Sequence, residues 1–282
     1  VADTSPRRLA RLLLHRRDAI GAAYHVLTFA ADEPIDARPG QFAMVRGAAW
    51  GDAPLLPRPM SLLTAGERPS ILVKVVGEGT RRMAHASSDE PFDLLAPLGL
   101  PFSCSRDPGS AGHAAGSPCP PPHVPVLVAG GVGVAPLLFL ARELAAAGVQ
   151  PICLYGGRTA ADLPLDAEVA AVADLRVATE DGSRGARGRV TVLLDQALDE
   201  LAAAGRAAKI YTCGPDAMMA AVARACERRG VSCEVSLETP MACGYGVCLG
   251  CPVPRREGGF LYACTQGPCV DAAAVAWGRE AS

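Results

Sequence analysis

Hydrophobic and polar positions fall into distinct textures along the chain. Up to residue 102 the apolar runs are short and broken by Pro and Gly, at 24–30, 41–46, 61–65 and 70–76. Runs of that length between turn residues predict the strands of a small antiparallel barrel. From 124 onward, strand-like apolar runs at 125–129, 151–155, 175–179, 209–213 and 231–237 alternate with helical patterns at 136–148, 190–204 and 216–230. Pro136 near the start and Gly148 at the end of the first helical stretch are the expected start and stop residues. Strands separated by helices predict a parallel sheet covered on both faces. Between these parts, 103–123 is rich in Ser, Gly, Ala, Pro and Cys, cannot bury a core, and reads as a linker or insertion loop. The last stretch, 238–282, shows little regular pattern. The expected fold is multidomain, β plus α/β: a barrel over 1–102, a linker over 103–123, a parallel-sheet α/β unit over 124–237, and a small C-terminal segment over 238–282.

Composition narrows the chemistry. With 282 residues, half of them apolar, the chain can bury more than one core. A net charge of −2 and 5% aromatic residues give no case for nucleic acid or an anionic membrane surface. No apolar run approaches the ~18 residues of a membrane span. The basic start is followed only by Leu12-Leu13-Leu14 before His15, too short for a secretory signal, so a cytoplasmic location is expected. Eleven cysteines, an odd number, are spread through a core-forming chain, which does not suit a disulfide framework.

Four of those cysteines crowd together near the end. Cys243, Cys248 and Cys251 are spaced C-x4-C-x2-C, and Cys264 follows. That spacing is the plant-type [2Fe-2S] pattern, in which one loop wraps the cluster and its thiolates bind both irons. Gly244, Gly246 and Gly250 suit such a loop, because amide N–H groups must approach the sulfurs closely. Zinc is the alternative, though structural zinc prefers two well-separated ligand pairs. Cys269 competes with Cys264 for the fourth position, and Cys264 is preferred. Cys104, Cys119, Cys153, Cys213, Cys226 and Cys233 stand alone in the sequence and are expected to be inert.

Two further sets of residues carry chemistry. Arg58-Pro59-Met60-Ser61 sits at the mouth of a predicted strand, and Gly77-Glu78-Gly79-Thr80 forms a Gly-x-Gly turn at the end of another. An arginine, backbone amides and a hydroxyl suit a flavin dinucleotide, although Arg-Pro alone also reads as a surface turn and Gly-Glu-Gly-Thr as a hairpin. Gly130-Gly131-Val132-Gly133 lies between a strand and a helix, where a nucleotide phosphate meets a helix N-terminus. Its spacing is not G-x-G-x-x-G, so a turn that merely lets helix and sheet pack closely is the other reading. Cys213-Gly214-Pro215 marks a second strand-to-helix switch, and two such turns define one crevice.

Together these residues resemble the ferredoxin–NADP⁺ reductase superfamily along nearly the whole chain. Within it they look most like the electron-transfer subunits of NAD-dependent (type 1B) dihydroorotate dehydrogenases. Arg58-Pro-Met-Ser61, Gly-Glu-Gly-Thr80, Ser236-Leu-Glu-Thr-Pro-Met-Ala-Cys243 with its cysteine loop, and Ala-Cys264-Thr-Gln-Gly-Pro268 carry the likeness. It implies FAD on the barrel, held by Arg58, Pro59, Met60, Ser61, Leu72, Val73, Lys74, Gly79 and Thr80. It also implies a [2Fe-2S] cluster on Cys243, Cys248, Cys251 and Cys264, while the two switch turns place NAD at Gly130, Gly131, Gly133, Cys213, Gly214 and Pro215. Ser61 is the candidate for tuning the flavin. The implied partner is an FMN-containing dihydroorotate dehydrogenase catalytic subunit, in a heterotetramer of two of each, serving pyrimidine biosynthesis. A related group, the ferredoxin:NADP oxidoreductase and sulfide dehydrogenase subunits, has Asp at the first ligand position, where this chain has Cys243. An NAD(P)H:acceptor reductase with another partner is the alternative. Two features depart from the pattern: the long 103–123 stretch, and Gly-Pro-Cys-Val around Cys269 in place of Gly-Pro-Val-Phe.

Overall fold

Six strands close the N-terminal barrel, namely β1 (Arg8–Ile20), β2 (Tyr24–Ala30), β3 (Phe42–Gly47), β4 (Arg58–Thr64), β5 (Ser70–Lys74) and β6 (Pro91–Leu98), in the order β1-β2-β5-β4-β3-β6. In this computed structural model, residues 7–103 and 123–278 are described. Nearly all of the linker expected over 103–123 lies outside them. All the barrel pairings are antiparallel. Leu14, Leu27, Phe29, Val45, Leu62, Ile71, Val73, Phe92 and Leu94 fill the interior. β1 and β6 are absent from the sequence reading. In β1 only Leu12 and Leu14 are buried, so alternation covers too little of a basic strand to announce it. Gly77–Thr80 is not a turn closing a strand: β5 stops at Lys74 and helix α1 (Glu78–His85) begins there.

The second body is a seven-stranded sheet. It comprises β7 (Val124–Gly130), β8 (Ile152–Gly157), β9 (Asp174–Thr179), β10 (Ala186–Arg187), β11 (Ala208–Cys213), β12 (Ser232–Ser236) and a late strand described below, with the helices α2 (Val134–Ala146), α3 (Asp166–Ala170), α4 (Val190–Ala203) and α5 (Asp216–Arg229). The order β10-β9-β8-β7-β11-β12 is parallel throughout. α4 and α5 cover one face with Leu194, Ala197, Met219 and Val222. α2 covers the other face and touches the barrel too. Leu137, Leu138 and Leu140 join the sheet core, whereas Phe139 enters the barrel core. A helix apolar all round is one buried on both sides, which explains the unbroken apolar run Val134–Ala141 that precedes Arg142 and Glu143.

The C-terminal segment is more ordered than its pattern suggests. After β12 come the hairpin strands β13 (Pro252–Pro254) and β14 (Phe260–Tyr262), helix α6 (Ala263–Gln266) and strand β15 (Cys269–Asp271). β15 pairs antiparallel with β12 and completes the sheet at that edge. Elements of three or four residues are too short for periodicity to reveal. Among the described residues, no helix is long and apolar enough to cross a membrane.

Candidate functional site

Where barrel and sheet meet lies a cavity of about 400 Å³, lined by Phe42, Pro59, Met60, Ser61 and Leu72 of the barrel, Val132 in the turn before α2 and Ala135 in its first turn, and Leu237–Met241 with Pro268. Arg58–Ser61 are the first four residues of β4, not a loop before it. β5 divides its three candidates by alternation. Leu72 lines the cavity, while Val73 points into the barrel core and offers a ligand only backbone. Lys74 lines a different recess, described below. At the other end of β4, Arg58 lies across the first turn of α1. A Cβ on Gly79 would stand 2.7 Å from its Nε, so glycine there makes room for the guanidinium. The first-turn amides of a helix have no partner within it, and with an arginine beside them they could hold a diphosphate. The Thr80 hydroxyl is committed elsewhere. It accepts from the amides of Val76 and Gly77, at 2.9 and 3.1 Å, and donates to the Gly77 carbonyl at 3.0 Å.

The second recess, about 370 Å³, lies at the carboxyl ends of β7, β8, β9 and β11. Gly130, Gly131 and Pro215 line it, together with Gly156, Arg158, Asp162, Glu180, Arg189, Thr191 and Met218. Gly131 has open space before it, its nearest neighbour to an added Cβ being the Tyr24 hydroxyl at 3.8 Å. Gly133 is different. A Cβ there would lie 2.4 Å from the Cys213 carbonyl oxygen and 2.6 Å from the Gly214 nitrogen, so it allows the two switch turns to abut. Gly133→Ala, with its ordinary helical φ, is therefore expected to force backbone apart and cost about 3 kcal/mol. Thermal unfolding of the holoprotein should fall by about 6–10 °C, and an unchanged midpoint would show that the turns are not in contact.

Cys213 stands behind both recesses. Its buried thiol, pushed well up by burial and by the Glu238 carboxylate, donates to Glu238 Oε1 at 3.8 Å. Glu238 lines the first cavity, and burial, helped by Asp216, raises its carboxyl above the ordinary value.

The cysteine loop rests on the outer end of the barrel. Phe42, Met44 and Leu98 pack with Cys251, Ala263 and Cys264. The sulfurs of Cys251 and Cys264 are 3.2 Å apart and buried. Cys243 and Cys248 form the outer rim, with the Cys248 amide 3.5 Å from the Cys243 sulfur and the Gly250 amide 3.4 Å from the Cys248 sulfur. Partial burial works against the Cys243 thiolate, yet hydrogen bonds from the amides of Cys248, Tyr245 and Val247 outweigh it and bring the thiol down to about 6. Gly246, at φ +93°, turns the backbone so that its own amide faces Cys264, and an added Cβ would strike Thr265 at 2.8 Å. Backbone donors converging on sulfur suit thiolates that carry charge. Among the described residues, no three His, Cys, Asp or Glu side chains converge as ligands of a single ion do. Cys269 is elsewhere, buried in β15 beside Gly40 and Phe102. Cys226 of α5 and Cys233 of β12 are buried in the same core cluster, and the two thiols influence each other's protonation.

Residues 127–224 match the family model of the oxidoreductase NAD-binding domain. Residues 238–276 match that of the iron-sulfur cluster binding domain of dihydroorotate dehydrogenase B. The electron transfer subunit of dihydroorotate dehydrogenase B (NAD(+)) from Clostridium acetobutylicum is 35% identical over 235 residues, covering 83% of this chain and 84% of that protein. Its counterpart from Bacillus caldolyticus is 36% identical over 243 residues, 84% and 86% of the two chains. The chain belongs to the family of dihydroorotate dehydrogenase B electron transfer subunits.

Solved structures agree on the fold. The structure of an NADH-dependent reduced ferredoxin-NADP oxidoreductase superposes with a TM-score of 0.77 at 25% identity, over 95% of this chain and 90% of that one. A ferredoxin reductase of carbazole 1,9a-dioxygenase gives 0.65 at 18% identity, over 81% and 68%. As a member of this family the chain is an oxidoreductase with a barrel, an NAD-binding domain and an iron–sulfur segment. What sequence reading missed is the lining between them. Glu238 lies in the quoted run before Cys243, but only the fold turns it toward the cavity. Asp162, Glu180 and Arg189 lie in loops with no motif of their own.

Proposed function

We propose that the chain carries electrons between NAD(H) and an FMN-containing dihydroorotate dehydrogenase catalytic subunit, as the cytoplasmic electron-transfer half of a heterotetramer with two of each subunit. FAD would occupy the cavity at Ser61 and Leu72, NAD the recess at Gly130, Gly131 and Pro215, and a [2Fe-2S] cluster Cys243, Cys248, Cys251 and Cys264. The cytoplasm suits thiolate ligands, which need a reducing compartment. The observation that carries the reading is one short run of backbone: Leu237–Met241 lines the flavin-sized cavity, and Cys243 follows two residues later. Two cofactor sites that share a wall are close enough to exchange electrons without a mobile carrier.

A flavin supplies the conversion between two-electron hydride chemistry and one-electron transfer. The chain's own residues bind, orient and exclude water. Arg58 and the first turn of α1 would hold the flavin diphosphate, and Pro59, Met60 and Leu72 would exclude water from its ring. Gly130 and Gly131 line the second recess and Val132 and Ala135 the first, so the turn that leads into α2 would serve both a nicotinamide nucleotide and a flavin. Ser61 places a hydroxyl on the cavity wall, able to hydrogen-bond the ring where charge changes. Ser61→Ala is therefore expected to keep flavin bound but slow its reduction by NADH about 10²-fold. Stopped-flow bleaching of the flavin band measures this, and an unchanged rate with intact flavin spectra removes Ser61 from the mechanism.

The whole reading is tested by purifying the chain with the catalytic subunit and assaying dihydroorotate-dependent reduction of NAD⁺. A stable complex with that activity is expected. No complex and no such activity would favour an NAD(P)H:acceptor reductase with another partner.

A further inference from the structure

Beside the Gly131 turn, one carboxylate joins the two domains. Asp162 follows β8, and its Oδ1 lies 3.5 Å from Lys74 Nζ of the barrel and 3.3 Å from the Tyr24 hydroxyl, which donates to it. Its Oδ2 lies 3.5 Å from Arg158 Nε. Lys74 is held in place from below: it is Tyr24's partner across β2 and β5, with Nζ 5.2 Å from the tyrosine ring centre. Asp162 is 17% exposed, and it, Lys74 and Arg158 all line the nucleotide recess.

Two cations thus share one carboxylate, and both contacts are longer than the ~2.8 Å of a tight charge-assisted hydrogen bond. The surplus positive charge faces the recess beside Gly131. A dinucleotide diphosphate entering there brings the charge these cations lack, but also comes near Asp162, which repels it. We propose that Asp162 is an internal counter-ion: it occupies Lys74 and Arg158 while the recess is empty, ties barrel to nucleotide domain, and yields its cations to the coenzyme diphosphate. It is a positioning residue that sets how tightly the coenzyme binds and how readily it leaves. The inference rests on the reading of this recess as the nicotinamide-nucleotide site.

The experiment is calorimetric titration of the flavin-loaded full chain with ADP-ribose, which carries the diphosphate but no reactive ring. Asp162→Asn is expected to bind it about five- to tenfold more tightly than the unaltered chain, because Lys74, no longer paired with a carboxylate, is free to meet the diphosphate. Asp162→Glu should stay within about twofold, since it restores the carboxylate. In the double variant Asp162→Asn with Lys74→Met the gain should largely vanish, which a merely structural role for Asp162 would not produce. Hydrogen exchange of the segment after β8 in the ligand-free protein should rise in Asp162→Asn and fall back on adding ADP-ribose. Equal or weaker binding by Asp162→Asn, or a gain that persists without Lys74, overturns the inference while leaving the site intact. Failure of the unaltered chain to bind ADP-ribose overturns the reading of the recess itself.

Discussion

Cys264→Ser is expected to abolish the iron–sulfur chromophore while leaving the flavin and the fold in place. Cys264 is buried against Cys251 at the closed side of the loop, 3.2 Å from its sulfur, where no water can substitute for a lost ligand. Serine holds its proton far more tightly than cysteine, and its oxygen reaches less far than sulfur. Iron content and the paramagnetic signal of the reduced protein should fall to background. Electron delivery to the catalytic subunit should drop by more than about a hundredfold, beyond what loss of an outer-shell partner alone costs. NADH should still bleach the flavin, because Ser61, Leu72 and the nucleotide recess do not touch Cys264. Cys269→Ser provides the contrast: its thiol, raised by burial, sits against Gly40 and Phe102, and its loss should spare the cluster. A cluster that survives Cys264→Ser and disappears in Cys269→Ser would reverse the ligand assignment.

The second large effect is expected at Arg58. Its guanidinium crosses Gly79 at the N-terminus of α1, and its Nη1 donates to the Leu56 carbonyl at 2.5 Å, so the head group is held in place before any ligand arrives. Hydrogen bonds from a charged donor to a diphosphate are worth about 1.5–3 kcal/mol each. Arg58→Met keeps the stem and removes the charge, and should weaken FAD binding about a hundredfold, or about 3 kcal/mol. Flavin content after gel filtration and fluorescence titration of the flavin-free chain both read this. Arg58→Lys should recover only part of the loss, because an ammonium cannot make the planar two-pronged contact. Flavin retained at full occupancy by Arg58→Met would place the diphosphate elsewhere.

How much of this was legible in the sequence depended on whether a residue's neighbours are near in the chain. The cysteine loop and the switch turns at Gly130 and Cys213 are local patterns, and so were visible. Their details were not. Gly131 and Gly133 look alike in the sequence, yet one opens on the recess and the other is pressed against the Cys213 backbone. Leu72, Val73 and Lys74 are adjacent, yet the pleat of β5 sends them to three different surroundings. The Asp162 network could not be read at all, because Tyr24, Lys74 and Arg158 meet only once barrel and sheet have docked. β1 stayed hidden for a related reason. Most of its side chains face water, and a long, basic, exposed strand gives little alternation to detect.

The pairing of β15 with β12 has a consequence for how far the cysteine loop can be exchanged. The two strands are antiparallel neighbours, and the chain leaves one at Ser236 and enters the other at Cys269. The return is pinned by the Leu237 amide on the Pro268 carbonyl at 2.9 Å and by Leu100 on Gly267 at 2.5 Å. Topologically, then, the four candidate ligands Cys243, Cys248, Cys251 and Cys264 all lie in the loop between two paired strands. The ladder beneath it, Glu234–Ser236 against Cys269–Asp271, ties both ends of that loop to the edge of the sheet. By the same token, the loop cannot be exchanged without consequence for the flavin, because Leu237–Met241 and Pro268, which open and close it, are also a wall of the first cavity.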